Sequence, residues 1–370
     1  MPTDPNLVEL VQVDPTTVEF QGRRLVYFGG SDYLRLGWHP EVRRAVQRGL
    51  RRWGLNVAAG RTTTGNHPVY GELERILAQA FRFPAAVLTS AGYLAPLVAA
   101  QGLAGQVTQV FLADTAHGCL RDAARLLSVP IREFGGRSGA TLRLELGSLP
   151  PGARPLVMVN GLSPLDGTLS PVKELLAELP ESGWLLVDDA HGVGTLGGRG
   201  GGVLELAGVR DPRVILTGTL SKALGAYGGF VLGSRALRNA IVDGSRVFQG
   251  NTPLPPPWAL AAVRSLELLE VHGAAWRAQL DKSIRYVREA FKPTDPRRVA
   301  VGPAFTLSPK QPREVARLTR RFLEVGIYPS RIRYAQGPAD QFFRFAISRR
   351  HRRGELYRLR AVVAEFAEVA

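Results

Sequence analysis

The chain of 370 residues contains a single cysteine, Cys119. One cysteine excludes an intrachain disulfide, which is typical of proteins from a reducing compartment. No apolar run approaches the length of a membrane span. The first residues, MPTDPNLVEL, lack the basic and apolar regions of a secretory signal. These absences predict a cytoplasmic protein without a membrane span.

Lysine is also scarce, although the chain is strongly basic. The formal net charge is +15, yet only five of the 47 basic residues are lysines: Lys173, Lys222, Lys282, Lys292 and Lys310. The arginines are spread along the chain, so we expect a solvated surface or a field that steers anionic substrates. Nucleic-acid binding remains a minor alternative, which salt-sensitive retention on DNA would support.

Short apolar runs recur, and each ends in small or polar residues. They are AAVLTSAGY (85–93), QVFLADTAHG (109–118), PLVMVNGLSP (155–164), GWLLVDDAHGVG (183–194), RVILTGTLSK (213–222) and GGFVLGS (228–234). Helical patterns such as CLRDAARLL and VKELLAEL lie between several of them. This alternation predicts an α/β fold with a mainly parallel sheet between helices. In such sheets, ligands bind beyond the carboxyl ends of the strands.

The proline-rich stretch NTPLPPPW (251–258) interrupts this pattern. An amphipathic helix is expected from about Ala259 to Glu270. The chain after this helix is predicted to form an α+β region. Its strands are expected at AFTLS and FFRFAIS, and its helices at EVARLTRRFLEVG and ELYRLRAVVAEFAEV. We therefore expect three parts. They are an N-terminal segment (1–45) that packs with the small domain, a large ligand-binding domain (46–255) and a small C-terminal domain (256–370).

Lys222 lies on a glycine-rich turn directly after a predicted strand, in ILTGTLSKALGAYGGF (215–230). A phosphate-binding loop requires the order Gly-Lys-Ser/Thr, but here Ser221 precedes the lysine and Ala223 follows it. That interpretation is therefore excluded. The alternative is a nucleophilic amine whose pKa is lowered by its surroundings.

Pyridoxal phosphate is a cofactor that needs such an amine, because it forms a Schiff base with lysine. It also needs a carboxylate for its pyridine nitrogen, a partner for its ring oxygen and a flat group to stack on the ring. Asp188, His191 and His117 can supply these three groups. Backbone amides at the predicted helix start and nearby hydroxyls can hold the phosphate; these belong to Gly92, Tyr93, Thr219 and Ser221.

Each of these residues also has an ordinary explanation when it is taken alone. Single histidines are often structural, and Asp188 or Asp189 could cap a helix or bind Mg²⁺. A zinc site is not expected, because Asp188 and His191 have no third ligand at a matching spacing. No metal is therefore predicted, and the occurrence of all the groups in order favours pyridoxal phosphate.

Seven segments of the chain together resemble the α-oxoamine synthases, which are fold-type I pyridoxal-phosphate enzymes of the class II aminotransferase group. The segments are FGGSDYLRLGWHP, AAGRTTTGNHPVYGELERILAQAF, TSAGYLAP, DTAHGCLRDA, LDGTLSPVKEL, LLVDDAHGVGTLGGRGGG and TGTLSKALGAYGG. The resemblance runs from about Phe28 to Phe366. It implies a fold-type I transferase and a homodimer whose active site is shared between the subunits.

The resemblance also implies a role for individual residues. Lys222 would bind the cofactor and take the α-proton of the amino acid, and Asp188 would pair with the pyridine nitrogen. His191 and Ser163 would bind the ring oxygen, and His117 would stack on the ring. Gly92, Tyr93 and Thr219 would hold the phosphate, and Thr252 would reach the phosphate of the other subunit. Ser31 and Arg344 would bind the substrate.

Several residues depart from the family pattern. Ser31 replaces an asparagine that helps to hold the amino acid, and Asn160 replaces a glutamate. Other departures are Arg35, Pro96, Gly118, Cys119 and the stretch RIRYAQGPADQ. We expect an acyltransferase that condenses glycine, alanine or serine with an acyl-CoA and releases CO₂ to give an aminoketone. Transamination on the same scaffold, or a non-catalytic homologue that binds the cofactor, are the alternatives.

Overall fold

The computed structural model describes residues 8–291, 300–332 and 341–367. The strands in these ranges are β1 (Val11–Asp14), β2 (Thr17–Phe20), β3 (Arg23–Val26), β4 (Ala85–Thr89), β5 (Gln109–Ala113), β6 (Ile131–Phe134), β7 (Pro155–Asn160), β8 (Trp184–Asp188), β9 (Val214–Thr219), β10 (Gly229–Gly233), β11 (Ala304–Leu307), β12 (Arg331–Ile332) and β13 (Phe342–Ala346). The helices are α1 (Pro40–Trp53), α2 (Pro68–Phe81), α3 (Leu94–Gly102), α4 (Gly118–Arg125), α5 (Gly139–Leu146), α6 (Val172–Glu178), α7 (Gly202–Ala207), α8 (Arg235–Gly244), α9 (Arg246–Gly250), α10 (Pro256–Arg288), α11 (Pro312–Glu324) and α12 (Arg353–Ala367).

A seven-stranded sheet has the order β4-β10-β9-β8-β7-β5-β6. Only β10 runs against its neighbours, since it pairs antiparallel with both β4 and β9. The other neighbouring pairs are parallel, and helices such as α2, α3 and α4 pack against the strands. Strands β5, β7 and β9 are buried throughout, as expected for strands covered on both faces. The predicted α/β fold is confirmed.

All six apolar runs that predicted strands in this region form strands of the central sheet. The sequence analysis missed β6, which lies at the edge of the sheet and has three exposed residues out of four. The helix expected from Ala259 to Glu270 is longer, because α10 begins at Pro256 and ends at Arg288. Its buried residues continue past Glu270 through Leu280, Ile284 and Val287, although Gly273 and polar neighbours weaken the apolar pattern there.

A small sheet of order β11-β13-β12 and the helices α11 and α12 follow α10. They match the strands and helices expected after the proline-rich stretch. The N-terminal segment contacts this region, since Val26 N donates to Gly326 O at 2.8 Å and the Phe28 ring stacks on His351. The division into three parts remains a prediction. Within the described ranges, no helix combines the length and apolar character that a membrane crossing requires.

Candidate active site

The carboxyl ends of four adjacent strands carry most of the residues singled out in the sequence. His117 follows β5, Asn160 ends β7, Asp188 ends β8, and Thr219 ends β9 just before Lys222. Since β5, β7, β8 and β9 are parallel neighbours, their ends meet at one edge of the sheet. This edge is the candidate active site.

Lys222 lies on a tight loop between β9 and β10. Two hydrogen bonds close the loop: Leu220 N donates to Gly228 O at 2.9 Å, and Gly225 N donates to Lys222 O at 2.9 Å. Gly225 has φ +59°, and a Cβ there would lie 2.1 Å from Gly37 N. Only glycine fits such a position, so the loop is held against the N-terminal segment and the lysine is fixed at its base.

A chain of two short hydrogen bonds links Lys222 to His191 and Tyr33. Lys222 Nζ lies 2.7 Å from His191 Nε2, and Tyr33 Oη lies 2.6 Å from His191 Nδ1. The Tyr33 side chain is fully buried. Tyr33 was not predicted as a site residue, although it stands in the segment FGGSDYLRLGWHP. Its place in that segment is the only signal for it in the sequence.

Burial sets the charge of this chain of groups. It lowers the pKa of Lys222 to about 8, and the carboxylate of Asp188 partly offsets that effect. Burial and the charge of Lys222 hold the pKa of His191 well below its usual range. A neutral imidazole carries one N–H. The Tyr33 hydroxyl therefore donates when Nε2 carries the proton and accepts when Nδ1 does.

Asp188 faces a different set of partners. Cys119 Sγ donates to Asp188 Oδ2 at 3.3 Å and lies 3.0 Å from His117 Nδ1. His117 Nδ1 also accepts from Cys119 N at 3.2 Å, which caps α4. Burial and the neighbouring Asp188 raise the pKa of the Cys119 thiol, and burial lowers the pKa of His117. In the sequence, Asp188 and His191 have no third metal ligand at a matching spacing. The structure instead places Asp188 next to His117 and Cys119.

Asn160 positions the turn that carries His117. Its Oδ1 accepts from His117 N at 3.2 Å, and its Nδ2 donates to Thr115 O at 2.8 Å. The Asn160 side chain is buried. From the sequence, Asn160 was only a departure from the family pattern. These contacts show that its side chain holds the loop between β5 and α4 in place.

The start of α3 meets the end of β9 at a second polar group. A Cβ at Gly92 would lie 2.6 Å from Thr219 Cβ, so only glycine lets the two segments approach so closely. The Thr219 hydroxyl lies 2.7 Å from Ser221 Oγ. Tyr93 stands at the N-cap position of α3, and its hydroxyl donates to Asp122 at 2.5 Å. Helix-start amides beside hydroxyls suit a phosphate group.

Arg344 and Ser163 lie near this edge, but each is held by its own loop contacts. Arg344 Nε donates to Pro164 O at 2.6 Å, and its charge helps to lower the pKa of Lys222 after burial, the largest cause. Ser163 Oγ accepts from Leu165 N at 3.3 Å and from Asp166 N at 3.4 Å. The Ser163 hydroxyl therefore stabilises its own turn.

Ser31 and Thr252 are held by contacts that do not involve Lys222. Ser31 is half-buried, and its carbonyl accepts from Tyr33 N at 2.9 Å. Thr252 is exposed and lines a small cavity that also contains Ser90. Nearby, Arg35 stands at a position where the α-oxoamine synthases usually have glycine. Its φ of +52° lies in the left-handed region, which favours glycine. Its guanidinium is buried.

Asp189 is directed away from Asp188 and supports the loop that follows. Its Oδ2 accepts from Val203 N at 2.6 Å in the first turn of α7. A Cβ at Gly202 would lie 1.9 Å from this oxygen, and one at Gly192 would lie 2.2 Å from Oδ1. Burial raises the pKa of Asp189 to about 8. Of the two aspartates, Asp189 caps the helix, and Asp188 faces the site.

Several known proteins resemble this chain over nearly its whole length. Residues 23–357 match the family described as aminotransferase class I and II. The chain is 34% identical over 360 residues to an 8-amino-7-oxononanoate synthase of Stutzerimonas stutzeri, covering 94% of this chain and 89% of that protein. It is 32% identical over 353 residues to a putative 8-amino-7-oxononanoate synthase of Desulforudis audaxviator, covering 95% and 91%. The solved serine palmitoyltransferase of Sphingomonas wittichii superimposes with a TM-score of 0.89 at 26% identity, covering 97% and 92%.

Proposed function

The chain belongs to the class I and II aminotransferase family, and from this we propose that it is a pyridoxal-phosphate-dependent acyltransferase. It condenses a small amino acid, namely glycine, alanine or serine, with an acyl-CoA thioester. The products are an aminoketone, CO₂ and free CoA. The observation that carries this proposal is the convergence of Lys222, His191 and Asp188 at one edge of the sheet. The name of the solved relative, serine palmitoyltransferase, supports the transfer of an acyl group to an amino acid.

The residues at this edge fit pyridoxal phosphate. The lowered pKa of Lys222 supplies an amine that loses its proton near neutral pH. Asp188 supplies a carboxylate for the pyridine nitrogen, and His117 a flat ring to stack on the cofactor. The close approach of Gly92 to Thr219 places helix-start amides and a hydroxyl together for the phosphate. In this proposal Ser163, held by its own turn, would serve the ring oxygen, and so would His191 Nε2 once Lys222 leaves it for the cofactor.

When bound, pyridoxal phosphate supplies an electron sink that stabilises negative charge at the Cα of the amino acid. Lys222 Nζ holds the proton that leaves Cα and returns it later. His191 and Tyr33 keep Lys222 in position through the two short hydrogen bonds. Arg344 binds the substrate carboxylate in this proposal, since Pro164 O holds its Nε and its charge acts on Lys222, and Ser31 is assigned to the same substrate.

We also propose that the active protein is a cytoplasmic homodimer with the three-part division expected from the sequence. Thr252 is exposed, as a residue that reaches into a partner subunit has to be. In this arrangement Thr252 reaches the phosphate in the partner subunit. Mixing an inactive Lys222→Ala chain with an inactive Thr252→Ala chain should then restore part of the activity, because one of the mixed sites is intact.

Free-thiol release tests the function directly. The cofactor-loaded protein is mixed with glycine, alanine or serine and with a set of acyl-CoA thioesters. Thiol release that requires both an amino acid and a thioester is the expected result, and it identifies both substrates. Keto-acid formation without thiol release would instead establish transamination. If the cofactor spectrum responds to no amino acid, the remaining interpretation is a non-catalytic protein that binds the cofactor.

A further inference from the structure

One cluster of side chains at the active edge has a chemistry that the acyltransferase proposal does not use. One ring nitrogen of His117, Cys119 Sγ and a carboxylate oxygen of Asp188 all lie within 4.8 Å of one another. They offer one nitrogen, one sulfur and one oxygen ligand. Soft and borderline cations such as Zn²⁺ and Cd²⁺ prefer this kind of set, whereas Mg²⁺ and Ca²⁺ prefer oxygen alone.

Two of the three separations between these donors are close to those of a tetrahedral site. Zinc bound at the usual distances to sulfur, nitrogen and oxygen places its ligand atoms about 3.3–3.6 Å apart. Here Cys119 Sγ lies 3.3 Å from Asp188 Oδ2 and 3.0 Å from His117 Nδ1. These two separations are therefore within about half an ångström of those that a bound ion requires, and the third, between His117 and Asp188, is no longer than 4.8 Å.

The three donors are held on two elements that do not depend on a ligand. Asn160 Oδ1 holds the backbone N–H of His117, and Asp188 ends a strand paired on both sides; binding of the ion at His117 Nδ1 replaces the hydrogen bond from Cys119 N. A site whose donors are already in place does not have to be ordered by the ion. The positive charge of Lys222 acts on both His117 and Cys119. This charge opposes the binding of a cation.

We propose that His117, Cys119 and Asp188 bind a thiophilic divalent cation of the zinc class when the cofactor is absent, and that the cofactor and the cation exclude one another. On binding, the Sγ–H bond of Cys119 breaks, its proton passes to solvent, and an Sγ–metal bond forms without any electron transfer. The exclusion rests on the proposed function, since His117 and Asp188 are also the residues that hold the pyridine ring.

Cadmium absorption tests the site, because Cd²⁺ bound to a thiolate absorbs in the ultraviolet and the chain has one cysteine. Any such band therefore reports Cys119. The full-length protein freed of cofactor is titrated with Cd²⁺, and a band that saturates at one ion per chain is expected. Mg²⁺ should produce no displacement of Cd²⁺, and Zn²⁺ should displace it. Absence of the band would overturn the proposal.

Two variants that keep the thiol separate a three-ligand site from a lone cysteine. Loss of even an outer partner of a metal site lowers affinity by about 10–100-fold, so Asp188→Asn and His117→Gln should each weaken Cd²⁺ binding by about tenfold or more. Asp114→Asn is the matched control, because Asp114 follows β5 near the cluster but is exposed and outside it. Circular dichroism and Tm verify that each variant is folded. Unchanged affinity in both cluster variants would contradict the proposal, as would equal weakening in the control.

Competition tests the second half of the proposal. Cofactor added to the Cd²⁺-loaded protein should abolish the cadmium band as the absorbance of the bound cofactor appears. A full cadmium band together with fully bound cofactor would refute mutual exclusion. Cofactor binding is measured separately in protein treated with a chelator. If it fails there, the acyltransferase proposal fails, while the cadmium band and its dependence on Asp188 and His117 still decide the metal site.

Discussion

The two sides of the active edge are built from different kinds of contact. On the amine side, Lys222, His191 and Tyr33 are joined by nitrogen and oxygen contacts of 2.7 and 2.6 Å. On the carboxylate side, Asp188 meets a thiol at 3.3 Å, and that thiol meets His117 at 3.0 Å. Sulfur is a weak donor and a weak acceptor compared with oxygen and nitrogen.

The difference indicates what each side has to do. The amine side must place one nitrogen and control its proton, and short hydrogen bonds between partly buried groups do this well. The carboxylate side must leave an oxygen of Asp188 able to accept a hydrogen bond from the cofactor. A thiol is a weak donor, so it competes for that oxygen less than a hydroxyl would. We therefore expect the amine side to be sensitive to small changes and the carboxylate side to tolerate a changed thiol.

Lys222→Ala removes the central group of the amine side and should have the largest effect. The chain then lacks the amine that binds the cofactor and moves the α-proton, and loss of such acid–base catalysis costs about 10²–10⁴-fold in rate. Thiol release and the visible absorbance of the bound cofactor should both fall. Lys173→Ala is the matched control, since Lys173 is exposed on α6. Retained turnover in Lys222→Ala would disprove the proposed mechanism.

Asp188→Asn tests the carboxylate side and also reports on the amine side. Asp188 raises the pKa of Lys222 against the larger effect of burial, so its removal should lower that pKa further below about 8. Since the amine acts in its neutral form, the rate rises with pH through this pKa, and the rise should move to lower pH. Activity should also fall, because the partner of the pyridine nitrogen is lost.

The neighbouring Asp189→Asn variant supplies the contrast. Asp189 is uncharged at pH 7 because burial raises its pKa to about 8. The neutral side-chain amide of the asparagine can still accept the hydrogen bond from Val203 N. The pH at which the rate rises should therefore stay closer to that of the parent protein. A larger shift in Asp189→Asn than in Asp188→Asn would reverse the assignment of the two aspartates.

Tyr33→Phe should have an intermediate effect. It leaves His191 Nδ1 without its buried partner, which costs about 1–3 kcal/mol, or about 5- to 150-fold. The decrease should appear in kcat, with a shift in the pH profile, because the ring no longer holds Lys222 in place. Tyr357→Phe is the control, since Tyr357 is 63% exposed. Equal kinetics in the two variants would remove Tyr33 from the hydrogen-bonded chain.

Cys119→Ser should have the smallest effect on turnover, less than about tenfold, because it replaces one hydrogen-bond donor with another. The hydroxyl is the stronger donor, so the absorbance of the bound cofactor should change with pH at a different midpoint. Spectra recorded across a pH range measure this shift. A loss of activity as large as that of Asp188→Asn would show that the thiol itself is required.

The sequence predicted the framework of the fold because local patterns determine it. Buried parallel strands read as continuous apolar runs, and six of the seven central strands were found in this way. The edge strand β6 was missed because three of its four residues are exposed. The full length of α10 was missed because Gly273 and its polar neighbours interrupt the apolar repeat.

The sequence predicted single site residues better than their partners. Lys222 and Asp188 stand out because each follows an apolar strand. The roles of Tyr33 and Cys119 depend on contacts across the chain, since Tyr33 meets His191 158 positions away and Cys119 meets Asp188 69 positions away. No local pattern records such pairs. The positions of Thr252 and Ser163 relative to the cofactor remain predictions.

The position of β4 in the central sheet has a consequence for synthesis of the chain. In the sheet, β4 pairs only with β10, which is made after β5, β6, β7, β8 and β9. During translation, the apolar segment AAVLT therefore has no strand beside it until most of the sheet has left the ribosome. An unpaired edge of this kind favours association with other chains. We expect nascent chains that end before β10 to depend on chaperones, and complete chains to lose that dependence once β10 inserts.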